Sequence, residues 1–435
     1  MSASTPLTEF TGRPKQILER LNALYPSLID LSLNRLKRLL GDLGNPEKKI
    51  PPIVHVAGTN GKGSTCSFLR AIGEHAGLKA HVYTSPHLVN LNERFRIAGT
   101  LAEDQLLIET LREIERVNQK QPITVFEVLT AAAFLLFSRQ PADLTILEVG
   151  LGGQFDATNV ITPIVSVITS ISMDHEDFLG KDLSKIAYEK SGIIKESVPV
   201  VTDQQQPEAL HILNERACFL KTTCKVRNKE WFIKKNKDHL FYSDDWGTLT
   251  LPLPSLIGDH QINNAGLAIA ALRHSNLDLP NQSYHGVSKA KWPARLQRLN
   301  GFLTRFSPEK SELWLDGGHN PDAGQILASI IEKNWQDKPL HLIVGMKTTK
   351  NVREFLAPLI PLVDSIQAVI EPDQYLAMSI QDIVEASNNF ATAGTTVKSA
   401  LMKLKMNVFK PTRILICGSL YLAGSVLKQD GWQNI

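Results

Sequence analysis

Ile53-Val54-His55-Val56-Ala57-Gly58-Thr59-Asn60-Gly61-Lys62-Gly63-Ser64-Thr65 is the stretch on which the fold turns. Ile53 to Ala57 is a short apolar run, the pattern of a strand buried on both faces. The chain turns at Gly58 and Gly61, then enters helical periodicity from Ser64 to Ala76. Strand, glycine loop, lysine, hydroxyl and helix, in that order, form a cradle for phosphate. The glycines let backbone N–H groups approach phosphate oxygens, and a helix N-terminus adds a favourable dipole. Lys62 brings a positive charge, and Ser64 or Thr65 offers a hydroxyl to Mg²⁺. The strict pattern G-x-x-x-x-G-K-[ST] is not met. Val56 stands at the first glycine, and Gly63 separates Lys62 from Ser64. The alternative is a glycine-rich turn with a solvated lysine; the strand before and the helix after favour a nucleotide.

A chain of 435 residues suits two or three domains. Hydrophobic content of 43% and charge of 21% describe a soluble globular protein. A net charge of +3 gives no argument for nucleic acid. Cys66, Cys218, Cys224 and Cys417 lack C-x-x-C spacing, which suits free thiols in a reducing compartment. Met1 to Arg13 has no apolar signal core, and the apolar helix around Leu129 to Phe137 is too short to span a bilayer. The expectation is a cytoplasmic protein with no membrane or nucleic-acid partner, working as a monomer on small molecules.

Outward from the cradle, strands alternate with helices, which predicts a mostly parallel α/β sheet. Leu144 to Val149 is an apolar strand interrupted by Glu148. A carboxylate there is costly unless it is paired or on a metal, and it sits where open α/β sheets place ligands. Thr84-Ser85-Pro86-His87 ends another strand, and its hydroxyls suit Mg²⁺ as well as a turn. His175 follows a third strand, in a loop that is either solvated or on the metal face. Lys190 closes a helix spanning Asp182 to Gly192. Cys224 to Leu251 predicts small antiparallel strands, Ala265 to Arg273 a helix, and Pro14 to Leu43 a helical segment. The linker near Trp292–Gln297 divides the chain into 1–293 and 294–435, the second a smaller Rossmann-like α/β domain.

These motifs together resemble one family. A-G-T-N-G-K-G-S-T, T-S-P-H-L, N-E-R-F-R-I, L-E-V-G-L-G-G-Q-F-D-A-T-N, D-H-E-D-F-L-G, G-D-H-Q-I-N-N-A and D-G-G-H-N-P are similar, in order and spacing, to the folate branch of the Mur ligases. The resemblance runs from about Ile29 to Gly424. It implies phosphate contacts from Thr59, Asn60, Gly61, Lys62, Gly63 and Ser64, with Asn264, Arg295 and Asp316 gripping ATP from the other side. It implies two Mg²⁺ ions on Ser85, Glu148, His175 and Lys190, with Lys190 carboxylated on its amine. Lys62, His175 and Lys190 would carry the catalysis. The acceptor would lie against Asp30, Leu31 and Ser32, against Thr124, Val125, Phe126 and Glu127, and against Phe155, Asp156 and Ala157. For Asp30–Ser32 the residues alone favour a surface turn, for Phe126 a core position, and for Asn264 a helix cap. Departures are Ser32 for glycine, Gln154 for arginine, Phe155 for leucine, Ala294 for glycine, and Thr349 for an acid.

The implied reaction is ATP-dependent ligation of L-glutamate to dihydropteroate and to the γ-carboxyl of folates, through an acyl phosphate. Alternatives are polyglutamylation alone, a peptidoglycan Mur ligase, or a P-loop NTPase that is not a ligase.

Overall fold

The computed structural model describes residues 16–20, 32–174, 180, 182–372, 374 and 376–433. Asp30, Leu31 and His175 lie outside the described residues. The chain divides into two compact units: residues up to 172, 176–255 and 260–291 in the first, and 173–175, 256–259 and 292–435 in the second.

The first unit is built on an eight-stranded sheet of order β4-β3-β2-β5-β1-β6-β7-β8. Its strands are β1 (Ile53–Ala57), β2 (Ala80–Tyr83), β3 (Phe95–Ile97), β4 (Thr100–Leu101), β5 (Leu144–Glu148), β6 (Val165–Ile168), β7 (Val200–Thr202) and β8 (Cys224–Val226). From β2 to β8 neighbours run parallel, and β3 and β4 add an antiparallel edge. Every residue of β1, β5 and β6 is buried, as a sheet covered on both faces demands. The register sets Val56 beside Glu148 and Val54 beside Val165. The cradle after β1 therefore opens between the ends of β5 and β6.

Two expected boundaries shift, and two further segments join regular elements. Thr124 caps the helix Val125–Arg139, with Thr124 and Glu127 as a reciprocal capping box. In the N-E-R-F-R-I motif, Leu91–Arg94 is a 3₁₀ turn, and Phe95 and Arg96 belong to β3. The helical pattern from Pro14 to Leu43 is interrupted, since residues 32 and 33 precede a separate helix, Asn34–Asp42. The helix expected from Ala265 begins six residues earlier and spans Asp259–His274.

Cys224–Val226 joins the main sheet in parallel, so only β9 (Trp231–Asn236), β10 (His239–Asp244) and β11 (Gly247–Pro252) form the antiparallel ribbon. Trp231, Ile233, Leu240, Tyr242, Leu249 and Leu251 bury its inner face by strict alternation. Arg273 ties the ribbon to the helix Asp259–His274 through a two-pronged pair with Asp244 at 2.5 and 2.7 Å.

The second unit carries a six-stranded sheet of order β12-β13-β17-β14-β15-β16. These are Gln297–Leu299, Glu312–Leu315, Leu340–Val344, Ser365–Ala368, Ala391–Ala393 and Arg413–Cys417, as β12, β13, β14, β15, β16 and β17. Only β12 runs antiparallel. The predicted class holds: a mostly parallel α/β unit with a small antiparallel part, then a second α/β unit. No helix among the described residues is long and apolar enough to cross a membrane.

Candidate active site

Two glycines shape the cradle. Gly58 has φ +147°, and a Cβ there would stand 1.7 Å from Thr169 Oγ1. Gly61 has φ +89°, and its Cβ would stand 2.6 Å from Asn264 Oδ1. Neither position tolerates a side chain. The Thr59 N–H donates to Ser170 C=O at 2.8 Å, and the Thr59 hydroxyl to Ser172 C=O at 3.0 Å, which ties the loop to the segment after β6. Asn60 and Gly61 complete the turn, and Lys62, Gly63 and Ser64 form the first turn of the helix Lys62–His75. Lys62 Nζ curls back to donate to Gly58 C=O at 3.1 Å and Thr59 C=O at 3.2 Å. The N-terminal amide groups of that helix have no side-chain cap, which leaves their dipole to an anion.

Asn264 does not stand across from the cradle. It lies in the first unit, against Gly61 itself. The early start of the helix Asp259–His274 makes it an interior residue rather than a cap. Its amide donates to Gln261 Oε1 at 3.0 Å, and Gln261 Nε2 donates to Ser64 Oγ at 3.2 Å.

A hard cation fits the next group outward. Glu148 ends β5 with 4% exposure, and it accepts the Ser85 N–H at 3.3 Å. The Thr65 hydroxyl is fully buried on the cradle helix and has no hydrogen-bond partner among the described residues. A carboxylate and a hydroxyl are oxygen donors of the kind Mg²⁺ prefers when phosphate and water complete its shell. Among the described residues, no three His, Cys, Asp or Glu side chains form an all-protein metal cage. Lys190 is buried, and its Nζ donates to Gly58 C=O at 3.0 Å, so two lysines converge on one carbonyl oxygen. Cys66, one turn into the helix, is no nucleophile: burial, then the nearby Glu148 charge, push its thiol well above the usual range.

The acceptor residues split by exposure. Phe126 is partly buried and packs near Tyr83, and a Cβ on Gly150 would stand 2.4 Å from its ring. Thr124 and Val125 are buried in the helix start, and Glu127 pairs with Arg35 at 3.1 Å while it caps Thr124 N–H at 2.7 Å. Ser32 Oγ accepts the Asn34 N–H at 3.4 Å. In the loop after β5, Phe155 is 40% exposed, whereas Asp156 and Ala157 are buried. In the second unit Asp316 follows β13, and its carboxylate accepts the N–H groups of Leu296 at 2.9 Å and Gly318 at 2.7 Å. Arg295 lies beside Gly317 and donates to Ala294 C=O at 2.9 Å. Lys350, which lacks an acidic neighbour at Thr349, pairs instead with Asp174 of the same unit at 2.5 Å.

Comparison with known proteins covers most of the chain. Residues 56–272 match the Mur ligase middle domain, and residues 298–429 match the dihydrofolate synthetase C-terminal domain. A dihydrofolate synthase/folylpolyglutamate synthase of Bacillus subtilis is 34% identical over 91% of this chain and 94% of its own length. The chain belongs to the folate branch of the Mur ligases. Among solved structures, E. coli FolC in complex with DHPP and ADP is 32% identical, with a TM-score of 0.85 and 98% of each chain covered. A bifunctional folylpolyglutamate synthase/dihydrofolate synthase with Mn, AMPPNP and L-glutamate bound is 30% identical, with a TM-score of 0.83 and 98% of each chain covered.

Within this Mur ligase, sequence reasoning passed over Gln261, although it stands three residues before Asn264 on one helical face. It also passed over His55, wholly buried in β1, whose Nε2 lies 2.8 Å from Thr158 Oγ1. Burial, then the Lys195 charge, lower the His55 pKa from 6.5 to about 3. The folded chain thus keeps His55 neutral while the unfolded chain protonates it below pH 6.5, so stability falls with pH between 6.5 and about 3. From pH 7 to pH 5 this one group costs about 2 kcal/mol. Urea midpoints measured at both pH values check it, with a smaller pH dependence expected for His55→Asn.

Proposed function

We propose that this chain is an ATP-dependent ligase that joins the amine of L-glutamate to the carboxyl of dihydropteroate, and to the γ-carboxyl of folates. The observation that carries the reading is the convergence of Lys62 and Lys190 on the Gly58 carbonyl beside a buried Glu148, inside a chain of this family. Amide groups of Thr59 to Gly63 and the N-terminus of the helix Lys62–His75 hold the triphosphate. Lys62 leaves its loop carbonyls for the γ-phosphoryl group and offsets its charge. Arg295 and Asp316 take the nucleotide contacts that the resemblance implies. Ser85 and Glu148, with Thr65 and with His175 by resemblance, would hold Mg²⁺, whose charge favours phosphoryl transfer.

An acceptor carboxylate oxygen bonds to the γ-phosphorus as the bond to ADP breaks. The glutamate amine then bonds to the acyl carbon, inorganic phosphate leaves, and the amine loses a proton to water. No protein nucleophile takes part, in keeping with the buried Cys66 thiol. Phe126 and Phe155 supply apolar surface for the flat acceptor ring. The protein acts as a monomer in the cytoplasm, where its four free cysteines stay reduced.

Lys190 carries a carboxyl group. Two ammonium groups on one carbonyl oxygen repel each other, which favours release of a proton from Lys190; the free amine nitrogen then bonds to the carbon of CO₂ and loses a second proton to water, leaving a carbamate anion in place of one ammonium. Protein equilibrated with ¹³C-bicarbonate should show a carbamate carbon signal that Lys190→Arg lacks. Equal spectra would reject the modification.

A product assay with dihydropteroate and tetrahydrofolate as parallel acceptors tests the whole reading. Amide product in both arms is expected. Product only from tetrahydrofolate would make the enzyme a polyglutamylating synthase alone, and ATP turnover indifferent to acceptor and glutamate would reject a ligase.

A further inference from the structure

The run Gly150 to Asn159 is folded by its own polar side chains. Asp156 Oδ2 accepts the N–H groups of Gly150 and Leu151, both at 3.0 Å. Its Oδ1 accepts the Thr158 N–H at 2.9 Å and the Thr158 hydroxyl at 2.5 Å. Each oxygen thus has two donors, which fills the lone pairs of the carboxylate. Asn159 Nδ2 donates to Gln154 C=O at 2.9 Å and to Gly192 C=O at 3.0 Å, and Gln154 N–H donates to Glu189 C=O at 2.8 Å. The loop is thereby fastened to the helix that carries Lys190.

The remaining anchor is His55. The single Thr158 hydroxyl hydrogen goes to Asp156, because a carboxylate can only accept. Thr158 Oγ1 must therefore accept from His55, which fixes the ring as the Nε2–H tautomer. His55 Nδ1 then carries a lone pair, and it has no partner among the described residues. A chain of donors runs His55 Nε2–H to Thr158 Oγ1–H to Asp156, from the cradle strand to the backbone of Gly150 and Leu151. That backbone is the surface on which Phe126 packs, and the same loop presents Phe155 to solvent.

We propose that His55 and Thr158 are positioning residues. Through Asp156 they set the Gly150–Phe155 loop, and so the acceptor pocket, relative to the phosphate cradle. Asp156 serves as the internal staple of this loop, and Phe155 is the side chain it offers outward. The proposal rests on the ligase reading, since it names the acceptor side of that site.

Thr158→Val keeps the shape but removes both hydrogen bonds, and Thr158→Ser keeps both. Steady-state constants for dihydropteroate and for ATP are measured for each. Thr158→Val should raise the acceptor KM at least tenfold with the ATP KM changed less than twofold, and Thr158→Ser should restore the acceptor KM to within threefold. An unchanged acceptor KM, equal damage from both variants, or a parallel rise in both constants would overturn it. A second measurement needs neither turnover nor a folded variant. The ¹⁵N spectrum of histidine-labelled wild type should show His55 as the Nε2–H tautomer, constant from pH 5 to 8. An Nδ1–H tautomer or a titrating His55 would overturn the relay. Wild type without acceptor-dependent turnover would instead reject the ligase reading and leave the relay to this spectrum.

Discussion

Lys62→Ala should lower kcat by about a thousandfold, the size expected when a charged donor aimed at a transferring phosphoryl group is removed. In the structure the Lys62 amine rests on two carbonyls of its own loop, at 3.1 and 3.2 Å. On the proposed reading these bonds hold the amine ready at little cost, and a short swing would deliver it to the γ-phosphoryl group. The nucleotide dissociation constant should rise far less than kcat falls, because the loop amides and the helix N-terminus remain. Lys62→Arg should not rescue, since a planar fork cannot replace a compact ammonium on a loop this tight. Single-turnover ATP cleavage and equilibrium ADP binding, measured on the same preparation, separate the two effects. Equal losses in both would make Lys62 a binding residue only.

Glu148→Gln should lower kcat about a hundredfold and raise the Mg²⁺ concentration for half-maximal rate at least tenfold. The substitution preserves volume and an acceptor for the Ser85 N–H at 3.3 Å, so the strand end should keep its shape. What it removes is the charge, and a buried carboxylate charge is retained only where a cation or several donors repay its desolvation. Mg²⁺ titrations of wild type and variant check this, with thermal midpoints as a control. An unchanged Mg²⁺ requirement would return Glu148 to the role of a strand-end acceptor.

The cradle was legible because its signals are local. A buried strand, two glycines of forced conformation and a lysine on the first helical turn all fall within Ile53–Thr65. Glu148 was legible for a related reason, as a charge where only apolar residues belong. The helix start ahead of Asn264 was not legible, since Asp259–Asn264 is polar enough to pass for a loop. The same reasoning hid Gln261. Thr124–Glu127 contains its own capping box, so this helix start is readable from Thr-x-x-Glu ahead of the apolar run. The inward folding of Asp156, Thr158 and Asn159 could not be read at all. It depends on His55, about a hundred positions away in the chain, and on the C-terminal end of the Lys190 helix.

The central claim is that ATP energises the acceptor's own carboxyl group. Dihydropteroate labelled with ¹⁸O in its carboxylate is incubated with ATP, Mg²⁺ and L-glutamate, and the inorganic phosphate is analysed by mass. One ¹⁸O atom in the phosphate for each amide formed is the predicted result. Unlabelled phosphate, with amide still formed, would contradict the acyl-phosphate route and the account built on it.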